Sequence, residues 1–487
     1  MPTTTAILSF LPLLLLLHSL SSHGAVSHVQ REEAIGAARE HVARATSWAR
    51  SSLGLAESDR RAEVDGAAWR DCVQLYEDSE DRLTRLASPH VWDDARTWLS
   101  AALTCHMTCL DSLRERNSFV PVYAENVTVS LRNALALYAL PWNETGMLCV
   151  VGRYRMPGTG QKQMENQGLE ENQGLLASWE AAAWRADFVV AKDGSGNYKT
   201  INEAISALAR RGQSRSNRVV IYVKSGVYPE NVEIRRGMKN VMFVGDGIDK
   251  TIFLAFDSLN VLAIGVSADG FWARDMTFEN TAGPAKHQAV ALRVGSDLSV
   301  FYRTLSLYYP KGKFYRDCHI YGTIDFIFGN AAAVLQNCDI HVRRPMGQQS
   351  NMITAQGRTD PNQNTGISIH ASRVTPALDF QDVKGSFRTF LGRPWQKFSR
   401  TVFMKTDLDG LIDPRGWKEW SGGFALSTLY YGEHMNYGKG AVTSGRVKWP
   451  GFHVLRNPSD ADPFTVQRFI QGETWIPGTG VPFIPGL

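Results

Sequence analysis

The chain has 487 residues, of which 44% are hydrophobic, and its formal net charge is +4 at pH 7. A chain of this length and apolar content exceeds an ordinary single domain and can bury two cores. The small excess of Lys and Arg lacks the concentrated basic stripe of nucleic-acid-binding proteins, although it suits a polyanionic carbohydrate as well as an ordinary solvated surface. We therefore predict a two-domain globular protein that does not bind nucleic acid.

Residues 1–25 are typical of a secretory signal peptide. Residues 7–20 are almost wholly apolar, and the small residues Gly24 and Ala25 offer a cleavage site for signal peptidase. An uncleaved membrane anchor is the alternative, because no Lys or Arg precedes the apolar run. That run of about 14 residues is shorter than the roughly 20 that a membrane-spanning helix needs. We therefore predict export to the extracellular space, without a stable membrane anchor.

Export bears on glycosylation and on cysteine pairing. Asn126 and Asn143 each begin an Asn-X-Thr sequon and are predicted N-glycosylation sites.

Cysteines of exported proteins normally pair. The cysteines of this chain are Cys72, Cys105, Cys109, Cys149, Cys318 and Cys338. Their spacing to one another and to histidines does not match that of zinc ligands, so we expect no metal site and no cofactor.

Residues 32 to about 140 have the periodicity of amphipathic helices. Apolar residues recur there at intervals of three and four positions, for example at Val73, Tyr76, Leu83 and Leu86. Breaks between helical runs are expected at Gly54, around Ser88-Pro89 and near Pro121. We therefore predict that residues 26–150 form an all-α four-helix bundle.

A domain boundary follows the predicted bundle. Residues 165–169 have the sequence Glu-Asn-Gln-Gly-Leu, which is repeated at residues 171–175. Short repeats of polar residues and glycine are typical of flexible connections. We assign residues 151–186 to a linker and residues 187–487 to a second domain.

The second domain has an all-β pattern. Short runs of Val, Ile, Phe and Tyr alternate with Gly, Asn and Asp turns. The clearest runs are 219–223, 241–244, 251–256, 323–328 and 366–369.

A repeat in this domain predicts its architecture. Similar five-residue segments begin at Arg274, Arg316 and Gln336, so that successive segments lie 42 and then 20 residues apart. A period of about 20 residues is typical of solenoids, and the spacing corresponds to two coils and then one coil. We therefore predict a right-handed parallel β-helix with a long exposed groove. A β-sandwich is the alternative.

Four runs of the second domain resemble signature stretches of the plant pectin methylesterases. These runs are 194–200, 280–292, 322–330 and 391–395. The first domain is similar to the invertase and pectin methylesterase inhibitor family through Asp71-Cys72 and residues 94–111. The resemblance implies a secreted pectinesterase of the cell wall that releases methanol from methyl-esterified homogalacturonan, preceded by an inhibitor-like bundle. That bundle could contact its own catalytic domain or another esterase.

The resemblance also implies roles for four residues. Asp325 would be the nucleophile that attacks the methyl-ester carbonyl, and Arg393 would orient it and keep it ionised. Gln288 would donate a hydrogen bond to the developing oxyanion, and Trp395 would stack on a sugar. Outside such a motif, the same residues would have ordinary roles in a turn, a coil hydrogen bond, an ion pair and the core.

Disulfide pairing is only partly specified at this stage. Within the bundle we favour a bridge between Cys72 and Cys109, which leaves Cys105 and Cys149 unassigned. In the second domain, Cys318 and Cys338 either pair with each other or stay free.

The stretch that would carry the second catalytic carboxylate is missing. Family members have a Gln-Asp-Thr-Leu stretch between two Phe-Tyr-Arg runs, in which Asp is the acid/base and Gln a second oxyanion donor. Here these runs begin at Phe301 and Phe314, only 13 residues apart, and residues 305–313 contain no carboxylate. The coil is therefore predicted to be about seven residues short of the usual ~20, with impaired activity. Asp317 is the nearest acidic residue, and we expect it to face elsewhere.

Three other interpretations remain open. The chain could be a catalytically inactive protein that binds pectin or inhibits an esterase. It could be a pectate lyase or polygalacturonase, although no calcium-binding acidic cluster or suitable pair of carboxylates is evident. Finally, the gap could be an error at a splice boundary, which sequencing the transcript across codons 300–318 would detect.

Overall fold

A computed structural model of the chain divides it into two compact units, residues 1–158 and residues 159–487. The structure describes residues 28–58, 63–88, 90, 92–115, 118–139, 174–178, 186–211, 217–255, 262–283, 290–305 and 313–487. The predicted signal peptide, Asn143, Cys149 and Gln288 lie outside the described residues. None of the described helices combines the length and apolar character needed to cross a bilayer.

The first unit is a bundle of helices, as the periodicity predicted. Its described helices are α1 (His28–Ser58), α2 (Glu63–Arg85), α3 (Trp92–Glu115) and α4 (Tyr123–Ala139). Helix α1 packs against α2 and α4, and α3 packs against the same two helices, around one apolar core. The predicted break at Gly54 is wrong, because α1 continues through Gly54 to Ser58. A single exposed glycine lowers helix stability without ending the helix.

The bundle core contains a disulfide and a polar network. Cys72 and Cys109 join α2 to α3 with an S–S distance of 2.11 Å, and Cys105 is buried one turn before Cys109 on α3. Beside them, the hydroxyl of Tyr76 is 2.9 Å from Nδ1 of His106. Burial lowers the pKa of His106 to about 3, so the imidazole is neutral and satisfies its hydrogen bonds inside the core.

The predicted sequon at Asn126 is accessible at the start of α4. The Asn126 side chain is exposed, which a glycan requires. The sequon threonine, Thr128, lies 2.8 Å from Nε2 of His106 through its hydroxyl oxygen. Glycosylation at Asn126 therefore stays a prediction that the exposure of this residue permits.

Gly36 offers a test of the bundle's stability. It lies in the middle of α1, and a Cβ atom added there would meet no atom within 4 Å. We expect Gly36→Ala to raise the free energy of unfolding by roughly 0.5–1 kcal/mol, because alanine loses less backbone entropy in a helix. The urea midpoint of the helical circular dichroism signal would measure this. A lower midpoint would contradict the expectation.

The second unit consists mainly of parallel strands stacked in coils. One sheet, which has 17 strands in the described part of the unit, forms most of the wall. Its strands are β1 (Phe188–Val190), β2 (Val219–Val223), β3 (Gly226–Tyr228), β5 (Val241–Gly245), β6 (Thr251–Ala255), β8 (Trp272–Asn280), β10 (Ser299–Leu305), β11 (Lys313–Arg316), β12 (His319–Gly322), β14 (Ala332–Gln336), β15 (Asp339–Val342), β17 (Gly366–His370), β18 (Arg373–Pro376), β20 (Arg400–Met404), β21 (Asp407–Leu408), β22 (Tyr430–His434) and β23 (Phe452–Val454).

Two smaller parallel sheets complete the wall. The strands β4 (Val232–Ile234), β7 (Ile264–Val266) and β9 (Leu292–Val294) form one sheet. The strands β13 (Ile324–Gly329), β16 (Asn351–Gln356) and β19 (Thr389–Gly392) form the other. Within the described residues no strand joins β9 to β13, so these two sheets are separate.

Short helices complete the described part of this unit. They are α5 (Leu175–Ser178), α6 (Ile201–Arg210), α7 (Pro458–Ala461) and α8 (Val466–Phe469). Helix α5 lies inside the range predicted as a linker. Its Leu176 is buried in the apolar cluster on the outside of the large sheet, and Nη1 of Arg274 donates to the Leu176 carbonyl at 2.7 Å. This part of the range therefore belongs to the second unit.

The strand register confirms the predicted number of coils between the similar segments. Residues in register along five strands are Trp272, Val300, Phe314, Val334 and Ser368. Two coils therefore separate the segments that begin at Arg274 and Arg316, and one coil separates the segments that begin at Arg316 and Gln336. Each segment turns a corner at an equivalent Asp or Asn with φ near +54°, a conformation that these two residue types tolerate well.

The coil between Val300 and Phe314 is short, as the sequence predicted. It spans 14 residues, whereas the next coil, from Phe314 to Val334, spans 20. The pairing also differs by one position from the alignment of the two Phe-Tyr-Arg runs, because Phe301 pairs with Tyr315 rather than with Phe314. The rings of Phe301 and Tyr315 stack at 4.9 Å inside the coil.

Candidate active site

Asp325 and Arg393 form an ion pair on the sheet of β13, β16 and β19. Nε of Arg393 lies 2.9 Å from Oδ1 and 3.1 Å from Oδ2 of Asp325, and Nη2 lies 2.5 Å from Oδ2. The register between β13 and β16 shifts next to Asp325, whose φ is +54°. Bulges of this kind often re-aim a side chain beside an active site. The two residues are 68 positions apart, and the stacking of coils brings them together.

The backbone around Arg393 is held from two sides. Its amide donates to the Thr354 carbonyl at 3.0 Å, and Trp417 forms a bridge with the preceding Gly392. The indole of Trp417 is fully buried and donates to Oε1 of Glu433 at 3.2 Å. Glu433 is itself paired in the core with Arg446, at 2.7 Å. Packing and hydrogen bonds therefore fix the backbone that carries Arg393.

Burial and the contact with Arg393 act in opposite directions on Asp325. The Asp325 side chain is 20% exposed and that of Arg393 is 23% exposed. Burial raises the pKa of Asp325, and the hydrogen bonds and charge of Arg393 offset part of that rise. A carboxylate that is less hydrated and more basic than a surface aspartate is a better nucleophile. The geometry thus suits attack by Asp325 on an electrophilic carbon.

One tryptophan contacts the ion pair, and a second follows Arg393 by two residues. Trp395 is half-buried and contacts Phe328 edge to face, with ring centroids 6.0 Å apart. The ring of Trp420 lies 4.3 Å from the Arg393 guanidinium carbon, and the residue is 38% exposed. Partly exposed indole rings beside a cation and a carboxylate can pack on the apolar face of a sugar.

Trp420 is not among the residues predicted from the sequence. It lies in a Gly-Trp-Lys-Glu-Trp segment whose other tryptophan, Trp417, is fully buried. Nothing in the local pattern distinguishes the two rings. Only the contact with Arg393 assigns Trp420 to the site.

Three of the four residues singled out by the sequence lie on this sheet or directly after it. Asp325 is on β13, and Arg393 and Trp395 follow β19. Gln288 lies outside the described residues. Two other residues of these runs have structural roles: Thr200 caps α6 through a capping box with Glu203, and the side-chain Oδ1 of Asn280 accepts from the Ala282 amide at 3.0 Å in a turn.

Comparisons with known proteins identify the family. The sequence model of the family described as Pectinesterase matches residues 187–473, which is more than half of the chain. The chain belongs to the pectinesterase family. A second sequence model, described as Plant invertase/pectin methylesterase inhibitor, matches residues 17–137. Both resemblances inferred from the sequence are confirmed, and the chain is a member of a family of carboxylic ester hydrolases.

Relatives of this family cover most of the chain. The probable pectinesterase/pectinesterase inhibitor 36 of Arabidopsis thaliana is 52% identical over 485 residues, which cover 90% of this chain and 92% of the relative. Pectinesterase 2 of Citrus sinensis is 49% identical, with 88% of this chain and 83% of the relative covered.

Solved structures support the same fold. The pectin methylesterase from carrot is 50% identical and has a TM-score of 0.61, covering 63% of this chain and 100% of that chain. The enzyme from Aspergillus niger is 26% identical, with a TM-score of 0.52 and coverage of 62% and 97%. Together with the parallel register, these similarities confirm the predicted β-helix.

Asp317, the acidic residue nearest in sequence to the short coil, lies at a coil corner with φ +54°. Its Oδ1 accepts from Nδ2 of Asn337 at 2.6 Å and lies 2.9 Å from Nε of Arg316 in an ion pair. These contacts hold one carboxylate oxygen at the corner of the large sheet, whereas Asp325 lies on a different sheet. That Asp317 faces away from the reacting groups stays a prediction.

A buried polar contact lies at the start of β11. Lys313, the first residue of β11, is fully buried, and its side-chain nitrogen donates to the Val294 carbonyl. Burial of a lysine is unfavourable unless hydrogen bonds compensate for lost hydration. This hydrogen bond joins β11 to β9.

Proposed function

We propose that this chain hydrolyses the methyl esters of cell-wall homogalacturonan through an acyl-enzyme on Asp325, at a rate well below that of relatives with a complete coil. The Asp325–Arg393 ion pair, with Trp395 and Trp420 beside it, carries the proposal. The family membership supports the reaction class.

The chemistry begins with attack by an Asp325 oxygen on the C6 carbonyl carbon of a methylated galacturonic acid. Arg393 holds the carboxylate in one orientation and favours its ionised form. The Gln288 amide would donate to the oxyanion, where one fixed donor contributes roughly 3 kcal/mol. Collapse of the intermediate breaks the bond to the methoxy oxygen and leaves an acyl-enzyme, from which water releases the free acid and regenerates Asp325.

The missing stretch affects both proton transfers of this reaction. The departing methoxide needs a proton, and the attacking water must lose one. Residues 305–313 contain no carboxylate that could do either, so solvent must supply and accept these protons. Loss of a general acid/base reduces rates by about 100- to 10,000-fold, and loss of a second oxyanion donor reduces them further.

The proposal includes export to the cell wall. Residues 1–25 would serve as signal peptide, and Asn126, which is exposed on α4, would carry a glycan together with Asn143. The inhibitor-like bundle would remain available to contact the catalytic unit or another esterase.

Methanol release tests the proposed function. Purified chain and the carrot pectin methylesterase would be compared on highly methylated pectin, together with the Asp325→Asn variant. We expect slow release by this chain that Asp325→Asn abolishes. Activity within tenfold of the carrot enzyme that survives Asp325→Asn would overturn both the mechanism and the proposed impairment.

A second candidate function is pectin binding without turnover. Trp395, Trp420 and Arg393 form a surface suited to an anionic sugar chain even though the acid/base stretch is missing. Calorimetry with methylated oligogalacturonides would distinguish the two functions. Saturable binding together with no methanol above a protein-free blank would favour this candidate.

Gly357 offers a test of the role of Trp395. A Cβ atom at position 357 would lie 2.8 Å from Cε3 of Trp395, so Gly357→Ala must displace the ring. Overpacking of this kind typically costs about 1–3 kcal/mol. We expect weaker binding of methylated oligogalacturonides, measured by calorimetry. Gly347→Ala is the matched control, because no atom lies within 4 Å of its added Cβ; equal affinities for both variants would exclude the role of Trp395.

Arg393 offers a test through pH. Burial raises the pKa of Asp325 and Arg393 offsets part of that rise, so Arg393→Gln should raise the pKa further. The nucleophile works as the carboxylate, which exists above its pKa. The acid limb of the kcat/KM profile for demethylation is therefore expected to move to higher pH. Arg388→Gln, which removes an exposed arginine paired with Asp413 at 2.7 Å, should leave the limb in place; an equal shift in both variants would contradict this assignment.

A further inference from the structure

Four side chains on β12 and β15 share one outward face of the β-helix. The strands are parallel and in register, so that His319 pairs with Asp339 and Tyr321 pairs with His341. Successive side chains of a strand point to opposite faces. Here Ile320 is buried inside, whereas His319 and its neighbours on this face are only half-buried.

Three of these side chains offer metal-ligating atoms close together. One such atom from each of His319, Asp339 and His341 lies within 4.8 Å of the others. Oδ2 of Asp339 is already 3.8 Å from Nδ1 of His319. Ligand atoms around a tetrahedral zinc ion, each about 2.0–2.1 Å from it, are roughly 3.3 Å apart. Rotations of the side chains that move each atom by about an ångström would therefore close the site.

The third strand of this face, β18, supports two of the ligands. Nε and Nη2 of Arg373 lie 3.0 Å and 2.9 Å from Oδ1 of Asp339, which leaves Oδ2 directed to His319. The hydroxyl of Thr375 lies 3.1 Å from Nδ1 of His341. When Nδ1–H donates to this hydroxyl, Nε2 keeps its lone pair. Metal-binding histidines and carboxylates commonly have such outer partners, which orient them.

The ring of His341 is also held by Tyr321, which stacks on it with centroids 4.4 Å apart.

We propose that His319, Asp339 and His341 bind one divalent transition-metal ion of the Zn²⁺ type, with water completing its coordination. Two imidazoles and one carboxylate favour Zn²⁺, Ni²⁺ or Cu²⁺ over Mg²⁺ and Ca²⁺, which take oxygen ligands. The bound ion links β12 to β15, which lies in the next coil. Strand β12 continues directly into β13, the strand that carries Asp325. The site is independent of the proposed esterase activity. Local cysteine and histidine spacing could not predict it, because its ligands come from two coils.

Zinc binding to the full chain tests the proposal. The EDTA-treated and dialysed protein would be titrated with ZnCl₂ by calorimetry, with MgCl₂ as the comparison. We expect saturable uptake at this site and a rise in melting temperature with Zn²⁺ but not with Mg²⁺. His319→Ala and His341→Ala should each remove this uptake, and Thr375→Val should weaken it by roughly 10- to 100-fold.

His453→Ala is the matched control, because it removes a half-buried histidine from β23, another strand of the same sheet, without touching the site. All variants should melt like the parent in EDTA, which excludes misfolding as the cause. No uptake at 0.1 mM Zn²⁺, or equal uptake by a His319→Ala/His341→Ala double variant, would overturn the proposal. These side chains would then only form hydrogen bonds and ion pairs across the surface of the three strands.

Discussion

Restoring the missing stretch is expected to raise methanol release by about 100- to 10,000-fold. The variant would replace residues 305–312 with the corresponding segment of a relative that carries the Gln-Asp-Thr-Leu stretch. The coil from Val300 to Phe314 would then approach the length of the next coil, which spans 20 residues. Both flanking strands, β10 and β11, would keep their present pairing with β8 and β14.

The physical reason lies in the break between the two small sheets. Within the described residues, β9 ends one sheet and β13 begins the other. A full coil would add a strand between them and bring a carboxylate next to Asp325 on β13. That carboxylate would protonate the departing methoxide and then accept a proton from water.

The control for this graft has the same length but carries Asn in place of the grafted Asp. Methanol release from highly methylated pectin would be measured for the parent, the graft and the control. A gain in the graft that the control lacks would assign the effect to the acid/base group. Equal gains in both would show that coil length alone limits the parent, and no gain in either would contradict the prediction.

Asp325→Asn is expected to reduce turnover by about 10,000-fold or more, because loss of a nucleophile removes the covalent path altogether. The comparison is best made in the coil-restored chain, where the starting rate is high. Asparagine has nearly the same shape as aspartate and can still accept a hydrogen bond from Arg393. Binding of methylated oligogalacturonides should therefore change little while kcat falls.

Asp317→Asn is the matched control for this substitution. Asp317 is the nearest carboxylate in sequence, and Asn337 and Arg316 hold it at the coil corner. Its replacement should leave kcat near that of the unsubstituted chain. A large loss of kcat in Asp317→Asn, or a retained kcat in Asp325→Asn, would move the nucleophile away from Asp325.

Local patterns in the sequence were sufficient for much of the architecture. The three- and four-residue periodicity predicted the bundle, and the spacing of the segments at Arg274, Arg316 and Gln336 predicted the number of coils between them. Helix periodicity and the spacing of similar segments are both repeats along the chain, so they can be recognised without the fold. The position of the helix end after Gly54 was missed, because packing of α1 outweighs the weak helix propensity of one glycine.

The short coil separates what the sequence determined from what the tertiary structure determined. The sequence by itself determined that residues 305–313 contain no carboxylate and that the two Phe-Tyr-Arg runs are only 13 residues apart. Only the tertiary structure decided that Phe301 pairs with Tyr315, and that among the described strands none joins the sheet of Asp325 to that of β9. Register depends on how side chains stack between coils, which a motif alignment along one chain does not contain.

The functional residues divide in the same way. Motifs in the sequence determined the candidates Asp325, Arg393 and Trp395, because each lies in a run that is recognisable by itself. The tertiary structure decided that Asp325 and Arg393 touch, that Trp420 rather than Trp417 lies against Arg393, and that His319 meets His341. In a solenoid, residues that are a whole coil or more apart in sequence become neighbours in space. Because the coils here span 14, 20 and 34 residues, no single sequence spacing predicts which residues make these contacts.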